Sequence, residues 1–389
     1  MQRDFDVAVA GAGPAGASCA LHLARLGYAV ALIDAKTFPR PKLCGEYLNA
    51  GAVRELREIG AGGELAPLAL PLDGMRLHAH GERADFAFGS ESWSLPRVVL
   101  DDRLRQRALN AGATPILGTV RSIEDRGTSV DVAVHGRHDP RCIRARYVIG
   151  ADGMHSTVAR LMRLTITRPS ARFAVGGHYG GMRFTRWIEM YAGGDGYVAI
   201  NPLGNVRANT VFVLGRERLR SSGRNLGEEL ERFSWSVSEG RRAFSDSQLE
   251  GPRRSVGPLA HTTRHVTRGN IVLVGDAAGF VDPFTGQGVY LALVGAKLLA
   301  AALSRAFDSP VTAQQSFERY SQELRSVFAE RTRLAWLVRS ILTNRFLSRR
   351  AASAIRRRPG DYGALIDAFC GASTLQPAEL AAGLVRALR

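Results

Sequence analysis

Asp6-Val7-Ala8-Val9-Ala10 runs directly into Gly11-Ala12-Gly13-Pro14-Ala15-Gly16, and the reading of this stretch decides the fold. An apolar run broken by three spaced glycines reads as strand, tight turn and helix start, the unit that holds a dinucleotide pyrophosphate. Gly11 permits the turn, and Gly13 lets the backbone at Pro14 and Ala15 approach the phosphates. Gly16 allows the helix to pack on the strand, while the helix N-terminus aims N–H groups at the anion. Ala17 to Arg25 lacks Pro and Gly and ends at Gly27, a C-cap residue. A second apolar run, Ala29 to Ile33, ends at Asp34, where an acid accepts hydrogen bonds from the adenosine ribose; Ala35 and Lys36 continue that edge.

A second glycine segment lies far downstream. Ile271-Val272-Leu273-Val274 leads into Gly275-Asp276-Ala277-Ala278-Gly279. Two such segments suit a cofactor that extends well beyond a pyrophosphate, which points to FAD rather than NAD alone.

With these motifs in place the chain resembles the FAD-dependent flavoproteins that include para-hydroxybenzoate hydroxylase-like monooxygenases and geranylgeranyl reductases. The resemblance covers most of residues 1 to about 310. Gly150-Ala151-Asp152-Gly153 through Arg160 looks like that superfamily's Asp-Gly motif, which implies roles for Asp152, Gly153 and Arg160 beside the pyrophosphate. By the same similarity Asp276 bonds the ribityl chain or pyrophosphate. Pro283, Gly286, Gln287, Gly288 and Val289 carry backbone past the flavin ring, with a helix N-terminus aimed at its N1–C2=O edge. Pro39 to Glu46, containing Lys42, Cys44 and Gly45, resembles the Lys-x-Cys-Gly loop of the geranylgeranyl reductases. Pro96 to Asp101 resembles a shared segment whose Arg97 reaches the cofactor, and Val120 falls on the cofactor side. Val289-Tyr290 also follows the reductase branch. Two departures favour oxygenation over reduction. Gly196-Tyr197-Val198-Ala199-Ile200-Asn201-Pro202 keeps Tyr and Pro but lacks that branch's other aromatics, and Gln287 replaces a common acid.

The resemblance implies an α/β (α+β overall) architecture: a Rossmann-like FAD-binding domain, an inserted antiparallel β-sheet substrate domain and a helical C-terminus. The expected boundaries are 1–75, 97–165 and 256–310 for the FAD-binding domain, 76–96 and 166–255 for the substrate domain, and 311–389 for the helices. A helix is expected over Asp101 to Asn110 and another over Asn225 to Val237. Strands are expected around 118–121, 130–134, 173–175, 186–191 and 210–214.

The 389 residues suffice for a large core. Four scattered cysteines suggest reduced thiols and a cytoplasmic setting, and His178, His261 and His265 lack metal-ligand spacing. The N-terminus does not read as a signal peptide, and no stretch reaches the length of a charge-free membrane span. Net charge is +16, but the arginines are spread along the chain without basic motifs interleaved with aromatics, so no nucleic-acid partner is expected. Between Arg331 and Arg358 there are nine arginines and no acid, while Leu334, Leu337, Val338, Ile341, Leu342 and Phe346 share a helical face. Two readings stand: a packed helix with a wet arginine side, or a basic amphipathic surface resting peripherally on an anionic membrane.

Flavin chemistry asks the protein for binding, orientation and control of water. In the preferred reading NAD(P)H reduces FAD transiently, and O2 activated at the ring delivers an electrophilic OH to a lipophilic aromatic or alkene. The alternatives are reduction of a carbon–carbon double bond and electron transfer to a quinone. Cys44 is the candidate proton donor or substrate-positioning thiol. Glu46 is either an acid or a holder of the Cys44 loop, and Tyr197 and Tyr290 are candidates to aim a hydroxyl at the substrate.

Overall fold

The computed structural model describes residues 3–136, 140–166, 172–181, 183–193, 196–221, 248–259, 261–280, 283–357 and 368. The expected helix over Asn225 to Val237 lies outside them.

The first of two large sheets is built on parallel strands. Ile271–Leu273, Pro140–Gly150, Arg3–Ala10, Val30–Asp34 and Thr114–Leu117 lie side by side in that order. Their near-continuous apolar runs follow from burial on both faces. Val7, Val9, Leu32, Ile149 and Leu273 are all within 2% of complete burial. A hairpin, Thr119–Asp125 with Val130–His135, extends from the outer half of Pro140–Gly150.

This order puts every glycine segment at the carboxyl end of a parallel strand. Gly275, the Ala151–Gly153 turn, Gly11 and Asp34 follow four adjacent strands, so stretches remote in sequence share one edge of the sheet. In open α/β sheets that edge is where ligands bind. Helices Pro14–Arg25, Arg97–Asn110 and Gly288–Ala306 pack over the sheet. The arginine helix begins at Arg97, one turn earlier than expected, because Pro96 sits at its N-cap.

Gly288–Ala306 is long and apolar enough to cross a membrane by composition, despite Lys297. Its apolar stretch is 67% buried inside the protein, packed on Pro14–Arg25 and on the following helix.

The second sheet has the order Gln248–Val256, Arg172–Gly180, Arg207–Gly215, Gly196–Pro202, Trp187–Gly193, Leu70–Ala79, Glu82–Ser94, Tyr47–Leu48. It is antiparallel except where Trp187–Ala192 runs parallel to Gly74–Ala79. The parallel pair joins two excursions that leave the first sheet separately. No hairpin turn links them, so nothing forces an antiparallel register. The inward face buries Met75, Ile188, Met190, Val211 and Val213.

The C-terminal helices Pro310–Thr343 and Arg345–Arg357 span the two sheets. Tyr320 Oη donates to the Leu273 carbonyl at 2.8 Å, tying the long helix to the first sheet. Val338 packs on the apolar cluster of the second. Ser309 and Asn344 cap the two N-termini through their side chains.

Candidate functional site

The three glycine segments touch one another. Gly11 has φ +102°, and a Cβ there would lie 2.4 Å from the Ala151 carbonyl oxygen. A Cβ on Gly275 would lie 2.8 Å from the Ala15 Cβ. Gly11 meets backbone where the strands end, and Gly275, at φ +61°, meets the Ala15 methyl.

Around this junction is a cavity of about 370 Å³. One wall is Gly13, Pro14 and Ala15 with Asp152 and Gly153. A second is Lys42, Cys44, Gly45 and Arg97. A third is Asp276, Pro283, Gly286, Gly288 and Val289. The remaining wall is apolar: Leu43, Ala174, Val211, Val256 and Leu259.

The cavity fits a dinucleotide. Two helix N-termini open on it, Pro14–Arg25 and Gly288–Ala306, and neither has a side-chain cap. Among the described residues no side chain caps their first N–H groups, an arrangement that favours an anion. A Cβ on Gly13 would meet only Arg40, at 3.8 Å, and one on Gly288 or Gly45 nothing within 4 Å. Here glycine leaves space, whereas at Gly11 and Gly275 it fills a contact.

Electrostatics follow from the same crowding. Lys42 is an exposed residue whose side chain lines the cavity beside Arg97 and Asp276. Burial and the neighbouring Arg97 lower its pKa, against Asp276 and Asp101. Burial pushes the Asp276 carboxyl up, partly offset by Lys42, Arg97 and His261. Arg97 loses solvation in the wall, but Asp101 and Cys44 outweigh that loss and hold it charged.

The raised Asp276 pKa fixes the sign of a pH effect. The folded chain holds this proton where the unfolded chain, at the usual 3.8, has released it. Ionisation therefore costs stability that grows as pH rises through the folded pKa. Asp276→Asn is expected to raise the urea midpoint at neutral pH, with the gain vanishing below about pH 3.8 and FAD affinity falling. An unchanged midpoint across that range would remove Asp276 from this role.

The predicted residues divide into several groups. Asp34 does not line the cavity. Oδ2 accepts from Ala12 N at 2.9 Å and from Arg40, and Oδ1 accepts from Lys36 N at 2.9 Å, so it ties the glycine turn to the second strand. Ala35 is exposed beside it. Asp152 borders the cavity, but its carboxylate holds the next helix through Ser156 Oγ, Thr157 N and Val158 N. Val120 and Arg160 line a separate cleft of about 250 Å³. Gln287 is buried and accepts from Asn49 Nδ2 at 3.1 Å, so its side chain serves the scaffold.

Three catalytic candidates do not line the cavity. Glu46 is 4% exposed and off the cavity; Oε1 accepts from Arg97 N at 3.0 Å and Oε2 pairs with His178 Nε2 at 2.8 Å. It holds the Cys44 loop through these partners and does not line the cavity. Tyr197 is core, edge-on to Phe284 with ring centroids 4.9 Å apart. Tyr290 is buried in the helix with the Arg331 guanidinium over its ring. Cys44 remains on the wall, half-buried, with Glu46 N donating to Sγ at 3.4 Å.

Sequence reading missed the brackets that hold this loop. Asn209 Nδ2 donates to the Cys44 carbonyl at 2.5 Å, and Asn201 Nδ2 to the Gly45 carbonyl at 2.9 Å. Both come from the second sheet, and buried asparagines on otherwise apolar strands were the available signal.

Fold and site together define a dinucleotide-binding oxidoreductase built on a Rossmann-like domain. The chain belongs to the FAD binding domain family, whose model matches residues 4–335. It is 31% identical over 323 residues to the menaquinone reductase of Mycolicibacterium smegmatis, covering 77% of this chain and 76% of that one. It is 32% identical over 352 residues to digeranylgeranylglycerophospholipid reductase 1 of Methanothermobacter thermautotrophicus, covering 83% of each. Among solved structures, the flavin-dependent brominase Bmp2 superposes with TM-score 0.85 at 18% identity, over 99% of this chain and 97% of that one. A flavoprotein/dehydrogenase from Cytophaga hutchinsonii superposes with TM-score 0.83 at 19% identity, over 95% and 93%. At such identities the structural likeness is one of fold alone. The family and these relatives make the chain an FAD-dependent oxidoreductase.

Proposed function

We propose that this oxidoreductase saturates carbon–carbon double bonds in a long lipophilic substrate, with NAD(P)H as transient reductant. The observation that carries the reading is the apolar wall of Leu43, Ala174, Val211, Val256 and Leu259, which lines the same cavity as the pyrophosphate-type turn and the Cys44 loop. The named relatives act on menaquinone and on a digeranylgeranyl lipid, both bearing prenyl chains.

Reduced FAD, when bound, supplies the hydride equivalent that double-bond reduction needs. The amides at Pro14–Arg25 would hold its pyrophosphate, and those at Gly288 and Val289 would face its ring. Three of the four lone-pair positions on Asp34 are in use, which leaves one for a ribose hydroxyl. The Cys44 thiol would deliver the proton that completes addition across the double bond, and the Arg97 guanidinium would stabilise the thiolate left behind. Water returning through the open cavity restores the thiol. Glu46, Asn201 and Asn209 hold the loop while the thiol acts.

Cys44→Ala is expected to lower product formation by about 10²- to 10⁴-fold while leaving flavin reduction by NAD(P)H unchanged. Equal product rates in the two proteins would take the proton step away from Cys44.

Oxygenation is the second reading. It is favoured by the strand Gly196–Pro202, where half-buried Ala199 stands in place of an aromatic. The other departure has lost its weight, since Gln287 turns onto Asn49. The test is anaerobic incubation of reduced enzyme with a prenylated quinone or a geranylgeranyl lipid. Reoxidation of the flavin with a product gaining two hydrogens in its prenyl chain is expected. No anaerobic reoxidation, with an added oxygen atom in the product once O2 is admitted, would establish the second reading. A hydroquinone with its chain intact would indicate electron transfer.

A further inference from the structure

The long C-terminal helix buries one face and leaves another bare. Leu337, Val338 and Ile341 are half-buried, with Val338 on the cluster that also contains the cavity residues Leu43, Val211, Val256 and Leu259. Opposite lie Arg325, Arg333, Trp336 and Arg339, all exposed. Trp336 is 68% exposed, and Phe346, just past the turn at Asn344, is 64% exposed beside Arg345. Arg350 stacks on the Phe346 ring at 5.5 Å.

No acid occurs from Arg331 to Arg357. Glu82 pairs with Arg349 and Arg356 at the far end of the last helix, and Arg333, Arg339 and Arg345 are the exposed arginines that flank Trp336 and Phe346. Large aromatics in a field of arginines match the interfacial layer of a bilayer, where rings sit among headgroups and cations meet anionic lipid.

We propose that this face, centred on Trp336, Arg333, Arg339 and Phe346, docks on an anionic lipid bilayer. The charge complementarity selects anionic lipid as occupant. On the other side of the same helix Val338 packs on the cluster that includes the apolar wall of the cavity, so docking would place the site about one helix diameter, ~10 Å, from the bilayer surface. The purpose rests on the lipophilic-substrate reading, but docking is measured without turnover, and the two can fail separately.

The FAD-loaded full chain is floated with vesicles of phosphatidylcholine, alone or mixed with phosphatidylglycerol, at low and high salt. Binding to the anionic vesicles is expected to exceed that to neutral ones at least tenfold and to weaken as salt rises. Each arginine near the surface is worth about fivefold. Arg333→Glu with Arg339→Glu should therefore weaken binding at least twenty-fold, with FAD content unchanged. Trp336→Phe, a milder change at an exposed site, should abolish a vesicle-induced blue shift in tryptophan emission. Absence of binding, equal binding to both vesicle types, or binding indifferent to these substitutions would overturn the proposal. So would self-association that the same substitutions abolish, since that would assign the face to a second copy.

Discussion

Gly16→Ala is expected to purify colourless and to bind added FAD at least 100-fold more weakly than the parent chain. A Cβ at this position would lie 1.8 Å from the Gly11 carbonyl oxygen and 3.1 Å from the Ala151 Cβ. Both obstacles are fixed: the first is backbone of the turn, the second the start of the Asp-Gly segment. The helix Pro14–Arg25 would have to move outward, carrying its N-terminal amides away from the cavity. Overpacking of this kind costs about 1–3 kcal/mol or more, and here the displacement acts directly on the anion site. Gly63→Ala is the control, because a Cβ there meets nothing within 4 Å and the residue is helical. It should leave FAD affinity unchanged. Equal FAD affinity in Gly16→Ala and the parent would show that the turn does not hold the pyrophosphate.

Asp101→Ala should produce the largest loss of stability. Asp101 is fully buried and grips Arg97 through two bonds, Nε at 2.7 Å and Nη2 at 2.9 Å. Removing the carboxylate leaves a buried guanidinium without its counter-charge, a change worth about 3–5 kcal/mol. The double substitution Arg97→Met with Asp101→Leu removes both charges and should recover most of that loss in urea unfolding. It should not recover flavin binding, because Arg97 lines the cavity. Asp101→Ala unfolding at the parent's urea midpoint would contradict the account of this pair. Full FAD affinity in the double variant would show that Arg97 serves structure alone.

The backbone framework was legible because glycine punctuates it. Gly11, Gly150–Gly153 and Gly275 each follow a β-branched apolar run, and parallel strands buried on both faces must read that way. Side-chain directions were less legible. The Asp-Gly motif announces a turn at Asp152, yet nothing in the spacing says that its carboxylate caps Thr157–Leu161 and does not point at a ligand. Tyr197 and Tyr290 occupy suggestive sequence positions, but whether a ring faces cavity or core depends on packing against Phe284 and Arg331. The Glu46–His178 bond joins positions 132 residues apart, beyond any local pattern. On the C-terminal helix the apolar periodicity marked the packed face, whereas Trp336 on the opposite face broke no pattern and passed unnoticed.

The account stands on several remote segments closing around one FAD. A crystal structure of the FAD complex tests this most directly. The account predicts the pyrophosphate over the N–H groups of Gly13 and Ala15 and the isoalloxazine ring along Gly288 and Val289, with Cys44 beside it. A protein that takes up no FAD, or density for the flavin outside the cavity shared by Gly13, Cys44 and Asp276, would contradict it.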